Sequence, residues 1–126
     1  MPADPPLANR KCRACEGSVE PLPASAAQAL LADVKGWELV DGGKAIRKRV
    51  RCKNFMDAIG LMQRIAPIAE VEDHHPDLHL TGYRNLTIEL STHAIGGLSE
   101  NDFILAAKID ELLGSERPEV QKSDLR

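Results

Sequence analysis

Residues 70–91 read EVEDHHPDLHLTGYRNLTIELS, and this stretch holds the change from helix to strand on which the fold depends. In its second half the apolar residues fall at every other position: Leu86, Ile88 and Leu90. This alternation is typical of a strand that buries one face and leaves the other polar. Pro76 disfavours helical geometry at His75, so two adjacent histidines are expected on a stiff, extended loop.

Before this stretch, an apolar stripe at helical spacing predicts a long helix. Its members are Phe55, Ala58, Ile59, Met62, Ile65, Ala66 and Ala69. Asn54 is suited to cap the helix at its N-terminus. Pro67 lies inside the pattern and lacks the amide hydrogen that a helix interior uses, so we expect the helix to kink or end near Ala66.

Further towards the N-terminus, the sequence predicts a helix and a hairpin. Ser25 is suited to cap the helix, and Gly36 is expected to end it. Residues 37–40 and 46–51 are strand candidates on either side of an Asp-Gly-Gly turn signal, which favours a hairpin.

The last helix is predicted to begin at Ser99, with Asp102 in the position of a capping-box acid. Its core face is formed by Leu105, Ile109 and Leu112. The order is then helix, two strands, helix, one or two strands, helix. We therefore expect an α+β fold in which an antiparallel sheet carries helices on one face.

Length and composition predict one folded domain between a flexible N-terminal leader and a disordered C-terminal tail. The chain has 126 residues, of which 43% are hydrophobic and 28% charged, and single domains most often have about 100–150 residues. We expect residues 1–19 to be a flexible leader, residues 20–113 the folded domain and residues 114–126 a disordered tail. Both ends are polar or proline-containing and offer little to bury.

Several classes of protein are disfavoured. No apolar run approaches the ~20 residues that span a bilayer, and the first residues lack the basic and then apolar order of a secretory signal. We therefore expect a cytoplasmic protein, with no membrane partner and with reduced thiols. The net charge of −3 argues against direct binding of nucleic acid. The basic residues 47–53 are interpreted as a solvated strand face.

All four histidines lie between His74 and His93. Histidine both gives and takes protons near neutral pH, and a neighbouring carboxylate can hold its ring in one tautomer. If the strand that precedes His93 lies beside the loop, three imidazoles converge: those of His74, His75 and His93. Such a group suits general acid–base catalysis, which contributes ~10²–10⁴-fold in rate. A structural role explains His79 equally well.

Other uses of these residue types stay open at this point. The potential metal ligands are His74, His75, Asp77, His79 and His93, but their spacing matches no established zinc pattern. Cys12 and Cys15 form a single Cys-x-x-Cys pair, and Cys52 is isolated, so a zinc ribbon lacks its fourth ligand. We favour a non-catalytic role for this pair.

Three motifs together resemble one known family. They are Glu70-x-x-x-His74-His75-Pro76, Ser91-Thr92-His93 and Gly97-Leu98-Ser99-x-x-Asp102. Over about residues 12–113 the chain resembles the pterin-4a-carbinolamine dehydratase family. The resemblance implies a four-stranded antiparallel sheet with three helices on one face, assembled as a homodimer or homotetramer. It also implies that neither a metal nor a bound cofactor is needed.

The resemblance implies an enzyme that dehydrates 4a-hydroxytetrahydrobiopterin to quinonoid dihydropterin, which recycles the pterin cofactor of aromatic amino acid hydroxylases. The catalytic residues it implies are His74, His75 and His93, of which His75 and His93 are best placed to exchange protons. The substrate-binding residues it implies are Trp37, Glu70, Asp73, His74, His75, Ser91, Thr92, His93, Ala94 and Asp102. The alternative is a non-catalytic binding or assembly module, coactivator-like or Rubisco assembly-type, on the same fold. The presence of three histidines favours the enzyme.

Overall fold

The strand predicted from alternating residues lies in the interior of a four-stranded antiparallel sheet. The structure, a computed structural model, describes residues 6–12 and 20–115. Within these ranges the strands are β1 (Glu38–Val40), β2 (Ala45–Arg51), β3 (Asp77–Thr81) and β4 (Asn85–Leu90), and the α-helices are α1 (Ala24–Leu31), α2 (Phe55–Glu72) and α3 (Glu100–Ser115). The sheet order is β1-β2-β4-β3, and each neighbouring pair is antiparallel.

One face of the sheet forms the core with the helices. Leu86, Ile88 and Leu90 of β4 are buried, whereas Thr87 and Glu89 between them are only partly covered. The buried side chains join residues from all three helices in a single hydrophobic cluster. The α+β class, the hairpin around Asp41-Gly42-Gly43 and the placement of the helices on one face are thereby confirmed.

Helix α2 has the predicted start but not the predicted end. Asn54 caps it as expected, because its side-chain oxygen accepts a hydrogen bond from the Asp57 amide at 2.8 Å. Of the expected kink or end near Ala66, the end is wrong, since α2 continues through Pro67 to Glu72. Pro67 lies on the exposed side of the helix, where water can satisfy the carbonyl that loses its partner. The buried stripe of the same helix stays packed in the core, which outweighs that loss.

Replacing this proline tests the explanation. We expect Pro67→Ala to raise the free energy of unfolding by about 1–2 kcal/mol, because it restores an amide donor inside a helix, partly offset by a more flexible unfolded chain. Urea unfolding followed by circular dichroism measures the change. The control is Pro76→Ala, in the extended segment after α2, which gains no helical hydrogen bond. A lower stability for Pro67→Ala would contradict the explanation.

The start of α1 and the two predicted terminal segments differ in part from the sequence predictions. Helix α1 begins at Ala24 after Pro23 and has no side-chain cap, so Ser25 is not its N-cap residue. Residues 6–12, which belong to the predicted leader, lie against α3, where Leu7 is buried and Lys108 donates to the Ala8 carbonyl. Helix α3 extends to Ser115, just inside the predicted tail. The other residues predicted as leader or tail lie outside the described ranges.

None of the helices in the described ranges is both long enough and apolar enough to cross a membrane.

Candidate active site

The end of α2 determines where the first pair of histidines lies. Asp73 adopts the left-handed conformation (φ 53°) and ends the helix. The amides of Asp73 and His74 donate to the carbonyls of Glu70 and Ala69, respectively, each at 3.2 Å. This is the Schellman arrangement, which turns the chain sharply away from the helix axis. Pro76 follows two residues after His74, so the turn and the proline together hold His74 at a defined position.

His74 is paired with a buried carboxylate. Its Nε2 atom lies 2.6 Å from Asp102 Oδ1, and the Asp102 side chain is 0% exposed while that of His74 is 12% exposed. Asp102 lies in the first turn of α3, and its Oδ2 accepts a hydrogen bond from the Ser99 amide at 3.0 Å. This is the acid-to-backbone half of the predicted capping box. The same carboxylate therefore caps α3 and holds the ring of His74.

The segment that carries His93 is connected to the same carboxylate. Thr92 Oγ1 donates to Asp102 Oδ2 at 2.8 Å and lies 2.7 Å from Ser99 Oγ. The Thr92 amide donates to the Gly97 carbonyl at 2.8 Å, which closes a short loop that begins with His93. Three elements distant in sequence, the end of α2, the end of β4 and the start of α3, thus meet at Asp102.

The other predicted site residues at this end are more exposed. His75 Nε2 lies 2.6 Å from Glu70 Oε2, with the two side chains 55% and 74% exposed. An ion pair so open to water contributes little stability. His93 and Ala94 are exposed and Ser91 is half-buried. Asp73, directly before His74, is exposed as well.

Some predicted site residues are placed differently from what was expected. Thr92 and Asp102 are predicted to contact substrate, but both side chains are buried and their oxygen atoms bind other protein groups. Trp37 is buried as well, and its Nε1 donates to Asp110 Oδ1 at 2.9 Å. Asp110 lies eight residues after Asp102 on α3, which corresponds to about 12 Å along the helix axis. The structure therefore does not bring Trp37 to the histidines.

Two further placements bear on the sequence predictions. His79 is exposed on β3, where it pairs with Thr87 across the sheet, and it does not join the group around Asp102. Ser99 does join that group, although it is absent from the predicted site residues. Two sequence signals indicate it: its position three residues ahead of an acid at the start of α3 and its place in the motif Gly97-Leu98-Ser99-x-x-Asp102.

A second cluster links α2 to α3 behind the site. Glu72 Oε1 accepts a hydrogen bond from the Cys12 amide at 2.8 Å, and Glu72 Oε2 lies 3.5 Å from Lys108 Nζ. Burial would raise the pKa of Glu72, but the Cys12 hydrogen bond and the charges of Lys108 and Lys11 outweigh it and lower that pKa. This ionised carboxylate therefore holds residues 6–12 and α3 against the end of α2.

The thiol in this cluster is held in its protonated form. Burial and, after it, the negative charge of Glu72 raise the pKa of Cys12 to about 12. The nucleophilic form of cysteine is the thiolate, which is scarce at neutral pH when the pKa is so high. This agrees with a non-catalytic role for Cys12. Its predicted partner Cys15 lies outside the described residues.

The lowered pKa of Glu72 predicts a pH-dependent contribution to stability. Above its unfolded-state pKa of about 4.3 the ionised carboxylate stabilises the fold, and this contribution is lost as the pH falls through the lower folded-state pKa. We expect Glu72→Gln to be less stable than the unmodified chain at neutral pH, with the difference shrinking in acid. Urea midpoints measured over a pH series test this. Exposed Glu111 provides the control Glu111→Gln, and equal behaviour of the two variants would contradict the prediction.

Within residues 6–12 and 20–115, no three side chains of histidine, cysteine, aspartate or glutamate are grouped so that they could hold a metal ion.

Comparison with known proteins places these features in context. Residues 20–112 match the family model described as Pterin 4 alpha carbinolamine dehydratase. Pterin-4-alpha-carbinolamine dehydratase 2, mitochondrial, of Arabidopsis thaliana is 48% identical over 109 residues, which are 84% of this chain and 58% of that protein. A putative pterin-4-alpha-carbinolamine dehydratase of Nitrosomonas eutropha is 46% identical over 108 residues, which are 85% and 93% of the two chains.

A solved structure shows the same fold. The crystal structure of a transcriptional coactivator/pterin dehydratase from Brucella melitensis is similar with a TM-score of 0.68 and 33% sequence identity. The similarity covers 74% of this chain and 98% of that one.

Proposed function

The chain belongs to the pterin-4a-carbinolamine dehydratase family, and on this premise we propose that it converts 4a-hydroxytetrahydrobiopterin to quinonoid dihydropterin and water by histidine general acid–base catalysis. As a family member it is a hydro-lyase. The observation that carries the proposed mechanism is the buried Asp102, which holds His74 and, through Thr92, the segment that begins with His93.

The dehydration needs two proton transfers, one to the leaving hydroxyl and one from a ring nitrogen. The hydroxyl at carbon 4a must gain a proton so that the C–O bond breaks and water leaves with the electron pair. A ring nitrogen must lose a proton so that its electrons form the new C=N bond. Histidine suits both steps, because at neutral pH it can act as the acid or as the base. No redox partner is required, since the substrate and products balance as one dehydration.

The exposure of the histidines supports a division of roles. His75 and His93 are open to solvent, so we assign to them the exchange of protons with the 4a-hydroxyl and the ring. His74 is half-buried and fixed by Asp102, so we assign to it a contact with the edge of the substrate. The pterin is proposed to lie against Asp73, Ser91 and Ala94.

A purely structural or assembly role is not favoured. The presence of three histidines, one of them paired with a buried carboxylate, favours the enzyme. Recycling of the pterin for aromatic amino acid hydroxylases belongs to the same proposal. A cytoplasmic location and self-association as a homodimer or homotetramer stay predictions.

Absorbance measurements test the activity directly. The 4a-hydroxytetrahydropterin is generated in the cuvette by a hydroxylase, and its decay is followed in the ultraviolet with and without the purified protein. We expect a faster decay that a chelator leaves unchanged. Decay no faster than in buffer at any pH between about 6 and 9, the range in which histidine titrates, would refute the proposal. Loss of activity with chelator and its return with zinc would favour a metal mechanism instead.

A further inference from the structure

We infer that the Asp102 carboxylate places the ring hydrogen of His74 on Nε2, and that Thr92 and Ser99, whose hydroxyl groups hold this carboxylate in place, are positioning residues of the site. The inference deepens the proposed function, and only its activity measurement depends on that function. The hydrogen-bond donors and acceptors around the buried Asp102 carboxylate support it.

The first step concerns Asp102, which is 0% exposed. Its Oδ2 receives the Ser99 amide at 3.0 Å and Thr92 Oγ1 at 2.8 Å, and its Oδ1 faces His74 Nε2 at 2.6 Å. The ionised carboxylate that such donors stabilise has only acceptor sites. The short contact to His74 must therefore carry a hydrogen on Nε2, with the imidazole as donor.

The second step concerns the two hydroxyl groups. Each hydroxyl has one hydrogen, and that of Thr92 is directed at Asp102. Thr92 Oγ1 must then accept from Ser99 Oγ, which lies 2.7 Å away. Ser99 therefore donates to Thr92, and Thr92 donates to Asp102. Hydrogen bonds aligned in this way strengthen one another in a buried setting. Thr92 and Ser99 are both buried, so water does not offer a competing donor.

The third step concerns the other nitrogen of His74. A neutral ring that carries its hydrogen on Nε2 has a free lone pair on Nδ1. In the described part of the chain Nδ1 has no hydrogen-bond partner, and it is not among the buried polar atoms left without one. The tautomer leaves His74 Nδ1 able to accept a hydrogen bond from an N–H on the edge of a bound heterocycle.

Nuclear magnetic resonance of the unmodified protein tests the tautomer. Protein with ¹⁵N-labelled histidine is measured at about pH 8.5, above the ordinary pKa of histidine, and the His74 signal is identified by its loss in His74→Gln. We expect a pyrrole-type Nε2 and a pyridine-type Nδ1. The reverse pattern would overturn the inference. This measurement does not depend on dehydratase activity, so it separates failure of the network from failure of the proposed function.

Variants of the hydroxyl groups test the positioning role. Thr92→Val keeps the shape of the side chain and removes its hydroxyl, whereas the control Thr92→Ser keeps the hydroxyl. We expect Thr92→Val to keep the Nε2 hydrogen of His74, since the carboxylate still accepts it, and to lower kcat/KM by about 10- to 100-fold, the worth of a hydrogen bond to a charged group, because Asp102 is held less firmly. Thr92→Ser should restore most of the activity.

Ser99→Ala provides the second variant, because it removes the first hydroxyl of the chain and leaves the backbone N–H to Asp102 in place. We expect a smaller loss of kcat/KM than in Thr92→Val. A folded Thr92→Val or Ser99→Ala protein with unchanged kcat/KM would overturn the positioning role. If Thr92→Val does not fold, Ser99→Ala decides the question.

Discussion

His93→Ala is expected to lower kcat/KM for the proposed dehydration by about 10²–10⁴-fold, the range that a general acid or base contributes. The side chain of His93 is exposed at the start of a loop that Thr92 anchors to Asp102. Its removal should leave the anchoring hydrogen bonds intact, so we expect a normal circular dichroism spectrum and a normal unfolding midpoint. The absorbance assay measures the rate, and titration of substrate separates kcat from KM.

His79→Ala is the matched control. His79 belongs to the same histidine-rich window and is also exposed, but it lies on β3 opposite Thr87. We expect its activity to equal that of the unmodified protein. His75→Ala should behave like His93→Ala, since both are assigned to proton exchange. Rates near the unmodified value in both His75→Ala and His93→Ala would contradict the assignment of the acid and the base.

The local parts of the fold were predictable from the sequence because they depend on neighbouring residues. The alternation at Leu86, Ile88 and Leu90 predicts β4 and its buried face. The Asn54 cap of α2 is equally local, since the side chain binds an amide three residues later. The β-hairpin around the Asp-Gly-Gly turn has positive φ angles at Asp41 (55°), Gly42 (65°) and Gly43 (86°), and aspartate and glycine are among the residues that adopt this conformation most readily.

The errors arise where long-range packing competes with a local rule. Pro67 removes one hydrogen bond from α2, but the helix buries Leu61, Ile65 and Ala69 along its length and continues. In the segment predicted as a leader, Leu7 finds a buried position that composition alone does not reveal. A proline-rich composition lowers the expectation of order, and it does not exclude a single well-placed apolar side chain.

The sequence indicates candidate site residues but not the hydrogen-bond network that links some of them. The three motifs indicate His74, Thr92 and Asp102, yet they do not show that the Thr92 hydroxyl and the Asp102 carboxylate face each other rather than a substrate. That contact joins the end of β4 to the start of α3 and depends on the whole fold. Trp37 is predicted to contact the substrate, but it donates a hydrogen bond to Asp110. No sequence motif indicates Asp110 as its partner.

Asp102→Asn is expected to lower kcat/KM by about 10²-fold or more while the protein stays folded. The amide oxygen can still accept from Thr92 and from the Ser99 amide, as Oδ2 does now. Its NH₂ group then faces His74 Nε2 and can only donate, so the ring must carry its hydrogen on Nδ1 instead. The variant thus reverses the donor and acceptor sides of His74 with almost no change in shape.

Asp102→Ala separates this electronic effect from a structural one. It leaves the Thr92 hydroxyl and the Ser99 amide without their buried acceptor. Each unsatisfied donor costs about 1–3 kcal/mol. We therefore expect Asp102→Ala to be clearly less stable than Asp102→Asn in urea, although both lose activity. If Asp102→Asn kept the activity of the unmodified protein and the Nε2–H tautomer of His74, the carboxylate would have only its capping role at the start of α3. If it lost activity with the His74 ring reversed, catalysis would depend on the orientation of one imidazole by a residue that never reaches the substrate.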